Sequence, residues 1–279
     1  MGIYTPNAST LLYGGPGAGK TALAVSSFWD WRKRESIANG KIITFGAEDN
    51  PALAIPEECR HTDKGTSLRL ISPMLDDTQF LEQFDLITRR LILDAQEGKH
   101  LDVLVIDGLS EFDLLFEETY GGGGDNFAKW SGLLSQMFSM MMRTSHTSLG
   151  CQVIMTARVM ENKQAQQTTR SSIGGDPSYM DFDFYPSMRG SFRLHMPHYF
   201  NMVLYMQEKK VYVPEEKLVK VLNVVRNGEY YSKNVWQHEW EQAKLPTEMH
   251  NVMWPELWDR LTTAHELYDP TKVQENIKE

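Results

Sequence analysis

The sequence has few cysteines and no long apolar run, and both absences limit the kind of protein it encodes. The two cysteines, Cys59 and Cys151, lie far apart and form no metal-type pair, so reduced thiols in a cytosolic protein are the simplest interpretation. No window approaches the ~18 apolar residues of a membrane span, and the N-terminus shows no basic-then-apolar signal region. We expect a cytoplasmic protein, or one of the host cytoplasm if it is viral, without membrane contact.

Positive charge is also scarce. The net charge of −9 argues against a protein that coats nucleic acid through its overall charge, although local basic loops remain compatible with it. Apolar residues make up 41% of the chain and charged residues 23%, an ordinary balance for a soluble globular protein. The 279 residues are enough for one large α/β domain with appendages and a sizeable core.

One motif is complete. The stretch GGPGAGKT at residues 14–21 matches the GxxxxGK[ST] phosphate-binding loop, with an apolar LLY before it and a helix-forming ALAV after it. The glycines let successive backbone N–H groups point at phosphate oxygens at the positive end of the following helix. Lys20 is expected to reach the β- and γ-phosphates and Thr21 to ligate Mg²⁺. The predicted nucleotide contacts are Gly15, Pro16, Gly17, Ala18, Gly19, Lys20, Thr21 and Ala22.

Helical and strand patterns alternate along the chain, which predicts an α/β fold. The apolar run at 101–107 is typical of a strand that is buried on both faces of a parallel sheet. The last two strands are expected to pair as antiparallel neighbours at the sheet edge. The predicted helices are 22–37, 77–97 and 127–144, and the predicted strands are 41–45, 68–71, 101–107, 152–156, 200–207 and 218–225.

Two stretches interrupt this alternation. The glycine run at 121–125 is expected to be a mobile loop. The polar segment 158–190 has no clear periodicity and predicts a long loop, and such loops inside compact domains are usually functional or disordered. The tail from residue 245 onward predicts one or two short helices that pack on the core.

An apolar strand that ends in aspartate is the usual partner of a phosphate-binding loop. Asp107 ends the run at 101–107, and we expect it at the carboxyl end of a strand neighbouring the loop strand. A carboxylate in that position can complete the Mg²⁺ shell together with Thr21. The predicted metal ligands are therefore Thr21 and Asp107.

Hydrolysis also requires a group that orients or deprotonates the attacking water. Glu48 follows a predicted strand and could face the γ-phosphate, although it could instead be an acidic residue at a helix start. Glu111 lies four residues beyond Asp107 and fits the first turn of a helix better. We expect Glu48 and Lys20 to be the catalytic pair, with Glu111 as the alternative base.

Three cations are candidates for sensing the γ-phosphate. Arg158 follows the strand at 152–156 and could couple the phosphate to the next loop, or it could be a solvated loop arginine. Arg226 and Lys233 could each reach the triphosphate of a neighbouring subunit as a finger. The alternative for both is a hairpin rim with solvated charges.

These residues resemble the RecA-like core ATPases. The loop at 14–21, Glu48, the strand ending at Asp107 and the strand ending at Thr156 carry the resemblance, which within that group is closest to small phage-encoded nucleotide-binding proteins of single-strand annealing and recombination. It implies a RecA-like P-loop core with a mostly parallel central sheet flanked by helices and antiparallel edge strands toward the C-terminus. It also implies an ATPase domain at 1–245 and a short helical tail at 246–279.

The resemblance further implies an ATP- and Mg²⁺-dependent homo-oligomer, a ring or filament, that handles single-stranded DNA through two loops. By position these loops are 121–125 and 158–190. The aspartates at 176, 181 and 183 oppose a DNA backbone, so the second segment could instead contact a protein. The candidate phosphate contacts are Lys163, Arg170 and Arg189, and the candidate stacking groups are Tyr179, Phe182, Phe184 and Tyr185.

Two other functions remain open from the sequence. The chain could be a nucleotide-binding switch that assembles with a protein partner and turns over little ATP. It could also be a small-molecule or nucleotide kinase, although its scattered arginines form a poor lid over an acceptor. ATP is expected rather than GTP because the chain has no Asn-Lys-x-Asp stretch of the kind that reads guanine.

Overall fold

The computed structural model describes residues 8–45, 67–71, 77–99, 101–112, 114, 149–161, 182–187, 196–212, 215–225 and 229–268. The strands are β1 (Ser9–Gly14), β2 (Trp29–Asp30), β3 (Glu35–Ser36), β4 (Gly40–Phe45), β5 (Ser67–Ile71), β6 (Val103–Asp107), β7 (Gln152–Glu161), β8 (Phe184–Pro186), β9 (Met202–Tyr212), β10 (Glu216–Asn223), β11 (Lys233–Asn234) and β12 (Glu248–His250). The helices are α1 (Lys20–Val25), α2 (Asp77–Gln96), α3 (Gln237–Gln242) and α4 (Trp254–Glu266). A 3₁₀ turn covers Met196–Tyr199, and residues 109–112 are helical.

A central sheet in the order β12-β10-β9-β1-β7-β6-β4-β5 organises the molecule. The strands from β9 to β5 run parallel to one another, whereas β10 is antiparallel to β9 and β12 is antiparallel to β10. β8 and β11 add short antiparallel pairs to β7 and β9. The predicted α/β fold, with a mostly parallel sheet and antiparallel strands toward the C-terminus, is confirmed.

The loop strand β1 lies in the middle of this sheet, and all of its residues are buried. Successive side chains of a strand point to opposite faces, so Leu11 and Tyr13 enter one hydrophobic cluster and Leu12 enters the other. α1 and α4 cover the face of Leu12, and α2 covers the face of Leu11 and Tyr13. The phosphate-binding loop therefore projects from a rigid, fully packed strand.

The helix predicted at 22–37 is wrong beyond Val25. The hydroxyls of Ser26 and Ser27 donate to the carbonyl oxygens of Leu23 and Ala24, both at 2.6 Å, which closes the helix. The chain then forms the β2–β3 hairpin. This hairpin follows the buried Phe28, whose ring packs so closely on Gly40 that a Cβ there would lie 2.2 Å from its Cγ.

Four predicted elements are confirmed with small shifts: 41–45, 68–71 and 101–107 correspond to β4, β5 and β6, and 77–97 corresponds to α2. The helix predicted at 127–144 and the glycine run at 121–125 lie outside the described residues. The segment expected to be a loop at 158–190 is strand at two places, because β7 continues to Glu161 and pairs there with β8. The rest of that segment, apart from 182–183 and 187, lies outside the described residues.

The two last predicted strands are confirmed as the antiparallel pair β9–β10. β9 is longer than the sequence indicated, and β10 has the predicted length but begins two residues earlier. Residues beyond 245 contribute β12 to the same sheet, and α4 packs on the core as the tail was expected to do. No helix of the described part is long and apolar enough to span a membrane.

Candidate nucleotide-binding site

Three glycines shape the loop between β1 and α1. Gly17 and Gly19 have φ angles of 77° and 93°, in the left-handed region that favours glycine. Gly14 faces the β9 backbone, and a Cβ there would lie 2.1 Å from the carbonyl oxygen of Met206. The loop therefore needs glycine at 14 to pack against β9, and at 17 and 19 for its curvature.

Lys20 begins α1, and its side chain folds back over the loop. Its Nζ donates to the carbonyl oxygens of Gly14 at 3.0 Å and Gly15 at 2.9 Å. The ammonium thus lies within the curve that the loop backbone makes. This is the position from which a lysine reaches the β- and γ-phosphates of a nucleotide that rests on such a loop.

Asp107 forms a hydrogen-bonded cluster with two threonines. The Thr21 hydroxyl lies 2.9 and 3.0 Å from the two carboxylate oxygens, and the Thr156 hydroxyl donates to Oδ1 at 2.5 Å. The Gly108 amide donates in turn to the Thr156 hydroxyl at 3.0 Å. The cluster joins the end of β6, the middle of β7 and the first turn of α1.

The expectation that β6 neighbours the loop strand is wrong, because β7 lies between β1 and β6. Thr156 on β7 fills that gap and holds Asp107 in place. The sequence points to Arg158 as the polar group after the strand at 152–156 and gives no role to Thr156. The signal that could have revealed it was a hydroxyl at the end of the otherwise apolar VIMT.

The residues present fit a Mg²⁺ ion. Mg²⁺ prefers oxygen ligands, keeps several waters and uses one or two carboxylates together with substrate phosphates. Thr21 and Asp107 supply a hydroxyl and a carboxylate, and Thr44 lies beside Asp107 on β4. The Thr44 hydroxyl is buried without a hydrogen-bond partner among the described residues. A water bound to Mg²⁺ beside Asp107 would supply that partner.

Arg158 and Glu111 form an ion pair just beyond this cluster. The Arg158 Nε contacts Glu111 Oε1, and the Arg158 amide donates to the Ser110 hydroxyl at 2.9 Å. Ser110 donates to the Ser187 carbonyl at 2.9 Å, and the Ser187 amide donates to the Arg158 carbonyl at 2.7 Å. Arg158 and Glu111 are thus held together by bonds that also tie the 109–112 turn to β7 and the end of β8.

Lys233 lies away from the loop. In the register of β11, β9 and β1 it is level with Leu11, three residues before Gly14. Its Nζ donates to the carbonyl oxygen of Phe200 at 2.7 Å, and burial lowers the pKa of Lys233 below its ordinary value. Glu48, Arg226, Lys163, Arg170 and Arg189 lie outside the described residues.

Two of the aromatic residues predicted to stack on bases are core residues, and a third, Phe184, is partly buried against the core. Phe182 and Tyr185 are only 2% and 6% exposed, and Phe182 makes an edge contact with Tyr231. Phe184 stacks on Tyr205 at a ring distance of 6.0 Å. The stacking role predicted for Phe182 and Tyr185 is therefore wrong, because their rings are buried in the interior. Tyr179 lies outside the described residues.

Comparison with known proteins agrees with this geometry. No curated protein matches the chain. A family model described as an AAA domain matches residues 6–236, which covers β1, the phosphate-binding loop, the Asp107–Thr156 cluster and the sheet as far as β11. The chain belongs to this AAA domain family of P-loop ATPases.

Proposed function

We propose that the chain is a Mg²⁺-dependent ATPase that hydrolyses ATP while it acts on single-stranded DNA, in recombination or replication of the phage type. Membership of the AAA domain family supports a nucleotide-binding ATPase of the P-loop class. The observation that carries hydrolysis is the short hydrogen-bonded cluster of Thr21, Asp107 and Thr156 beside Lys20. It supports a prepared metal site at the mouth of the phosphate-binding loop.

Each residue of the site has a distinct role in this proposal. Lys20 exchanges its bonds to the Gly14 and Gly15 carbonyls for the β- and γ-phosphates. Thr21 and Asp107 hold Mg²⁺, and Thr156 fixes the orientation of Asp107. Mg²⁺, when bound, neutralises charge that develops on the phosphate oxygens. Glu48, after β4, accepts a proton from the attacking water.

Action on single-stranded DNA rests on the resemblance to RecA-like proteins. One structural feature supports this role. β7 continues without a break from Thr156 in the Asp107 cluster to Glu161, so a single strand connects the nucleotide site with the start of the proposed DNA-binding segment. Lys163, Arg170 and Arg189 are the proposed phosphate contacts. Arg226 and Lys233 remain proposed fingers in a homo-oligomer whose ATPase domain covers 1–245, with 246–279 as its tail. For Arg158, the ion pair with Glu111 favours a fastening role over phosphate sensing.

ATP turnover with and without single-stranded DNA tests the proposal. We expect phosphate release that DNA stimulates in the wild-type chain, and loss of that release in Glu48→Gln. Glu111→Gln tests the alternative base: because Glu111 pairs with Arg158, we expect this variant to keep its turnover, and loss of turnover in it alone would make Glu111 the base. Tight ATP binding without turnover would favour a nucleotide-binding switch over an ATPase. Equal turnover of GTP and ATP would contradict the expected preference for ATP.

A further inference from the structure

A second lysine lies directly on the phosphate-binding loop. The side chain of Lys220, from β10, covers Gly19, so that a Cβ on Gly19 would lie 2.8 Å from Lys220 Cδ and 3.2 Å from its Nζ. Among the described residues its ammonium has no hydrogen-bonded carboxylate. The cation therefore lies beside the loop, and no carboxylate of the described residues neutralises it.

The backbone of Lys220 is held firmly in this position. Its amide donates to the Asn251 side chain at 3.0 Å, and the Asn251 amide donates to the Lys220 carbonyl at 2.8 Å. Asn251 adopts a φ of 46°, a left-handed conformation that asparagine accepts more readily than most residues. Asn251, which follows β12, therefore has an unusual backbone angle at the point where its two hydrogen bonds hold Lys220 in place.

A cleft of about 190 Å³ opens beside Lys220 and Gly19. Its wall is largely apolar, and Trp31 lies on it with the indole Nε1 bonded to the Ala22 carbonyl at 3.0 Å. Ligand sites are usually apolar clefts with a few placed polar groups, and whole ligands usually need ~300 Å³ or more. The size therefore suits the nucleoside part of a ligand whose phosphates lie on the loop. Its other lining residues include Leu23, Met206, Leu222, Val252 and Met253.

We propose that Lys220 is a second nucleotide-binding lysine, supplied by β10 of the same chain, which contacts the polyphosphate beside Gly19 while the adjoining cleft receives the nucleoside. This rests on the nucleotide binding in the proposed function and adds to it a role for the β9–β10 hairpin. A lysine ammonium attracts phosphate oxygens as a compact charge, and bonds between charged groups are the stronger class. Nucleotide binding then ties β10 to the loop, so the hairpin is linked to the occupancy of the site.

Two probes separate the two halves of the proposal: ATP and inorganic tripolyphosphate, which carries the phosphates without a nucleoside. Lys220→Met retains the aliphatic stem over Gly19 and removes the charge. We expect it to weaken the binding of both probes about tenfold or more, the loss that a charge-assisted contact predicts. Trp31→Ala should weaken ATP and leave tripolyphosphate unchanged. Calorimetric titration of the full chain measures both dissociation constants.

Two further variants complete the test. Lys220→Arg keeps the positive charge and should restore most of the affinity. Lys217→Met is the matched control: Lys217 lies on the opposite face of β10, so this variant should bind both probes as the wild-type chain does. Thermal unfolding of each variant verifies that it is folded. Wild-type affinity in Lys220→Met, or a loss confined to ATP, overturns the role of Lys220 and leaves the ATPase proposal intact. A wild-type chain that binds neither probe overturns both.

Discussion

Two corners of the molecule share the middle of β7, and they differ in what their polar residues do. At the first, Thr156 joins Asp107 and Thr21 beside the phosphate-binding loop, and the side chains converge on one point. At the second, two residues further along, Arg158 pairs with Glu111, and β8 brings aromatic rings onto the core. In the proposed function the first corner presents its polar groups to Mg²⁺ and a nucleotide, whereas the second uses them to fasten the strands.

We expect the largest effect of a single substitution, a loss of ATP turnover, at the first corner. Lys20→Ala removes the ammonium from the loop and should lower ATP turnover by about 10³-fold, because loss of one preorganised charged donor costs ~10²–10³ in rate. Phosphate release at saturating ATP measures it. Lys217→Ala is the control, since it removes a lysine from an exposed strand position. Turnover within tenfold of the wild type would show that the loop is not the hydrolytic centre.

The second corner should respond in stability instead. Phe182→Ala deletes a ring that is 2% exposed and contacts Tyr231, and such truncations cost about 3 kcal/mol or more in the free energy of unfolding. Urea unfolding measures this loss. Binding of single-stranded DNA, measured where the variant is folded, should remain as in the wild-type chain. A variant of normal stability with weakened DNA binding would restore the stacking role that the burial of this ring contradicts.

Asp107→Asn tests whether the first corner is a metal site. The amide keeps the volume of the carboxylate but loses its charge, so turnover should fall about 100-fold while ATP binding without Mg²⁺ stays unchanged. Asp102→Asn is the matched control, because Asp102 precedes the same strand at its other end and accepts from the Asn39 amide at 2.8 Å. Equal loss in both variants would indicate a general weakening of β6.

The same difference explains how much the sequence could predict. The loop, its lysine and Asp107 were predictable because the chemistry of phosphate binding fixes residue types at short spacing. The role of Thr156 was not, because it depends on β7 lying between β1 and β6, and strand order follows from packing across the whole chain. The same holds for Phe182 and Tyr185, whose polar surroundings in the sequence gave no sign that their rings enter the core.

Breaking the ion pair of the second corner should have a small effect. Arg158→Leu removes a side chain that is 52% exposed from beside a carboxylate that is 16% exposed, so the loss of stability should lie near the upper end of the ~0–1 kcal/mol typical of surface pairs. We expect turnover to change by less than about threefold, because a pair of this strength contributes little to the geometry of the first corner. The two readouts are urea unfolding and phosphate release. A large fall in turnover at normal stability would identify Arg158 as the phosphate sensor and join the two corners into one site.

The smallest effect lies just before β7, at Cys151. Burial raises the pKa of this thiol from 9.0 to about 12. Between those values the unfolded chain has lost the thiol proton and the folded chain has kept it, so the stability contributed by Cys151 is present below pH 9 and falls as the pH rises toward 12. One such proton changes the free energy of unfolding by at most ~1.4 kcal/mol per pH unit. Urea midpoints at pH 8, 9 and 10 should therefore decline more steeply in the wild-type chain than in Cys151→Ala. Parallel declines would mean that the thiol ionises equally in both states, and hence that this end of β7 is open to solvent.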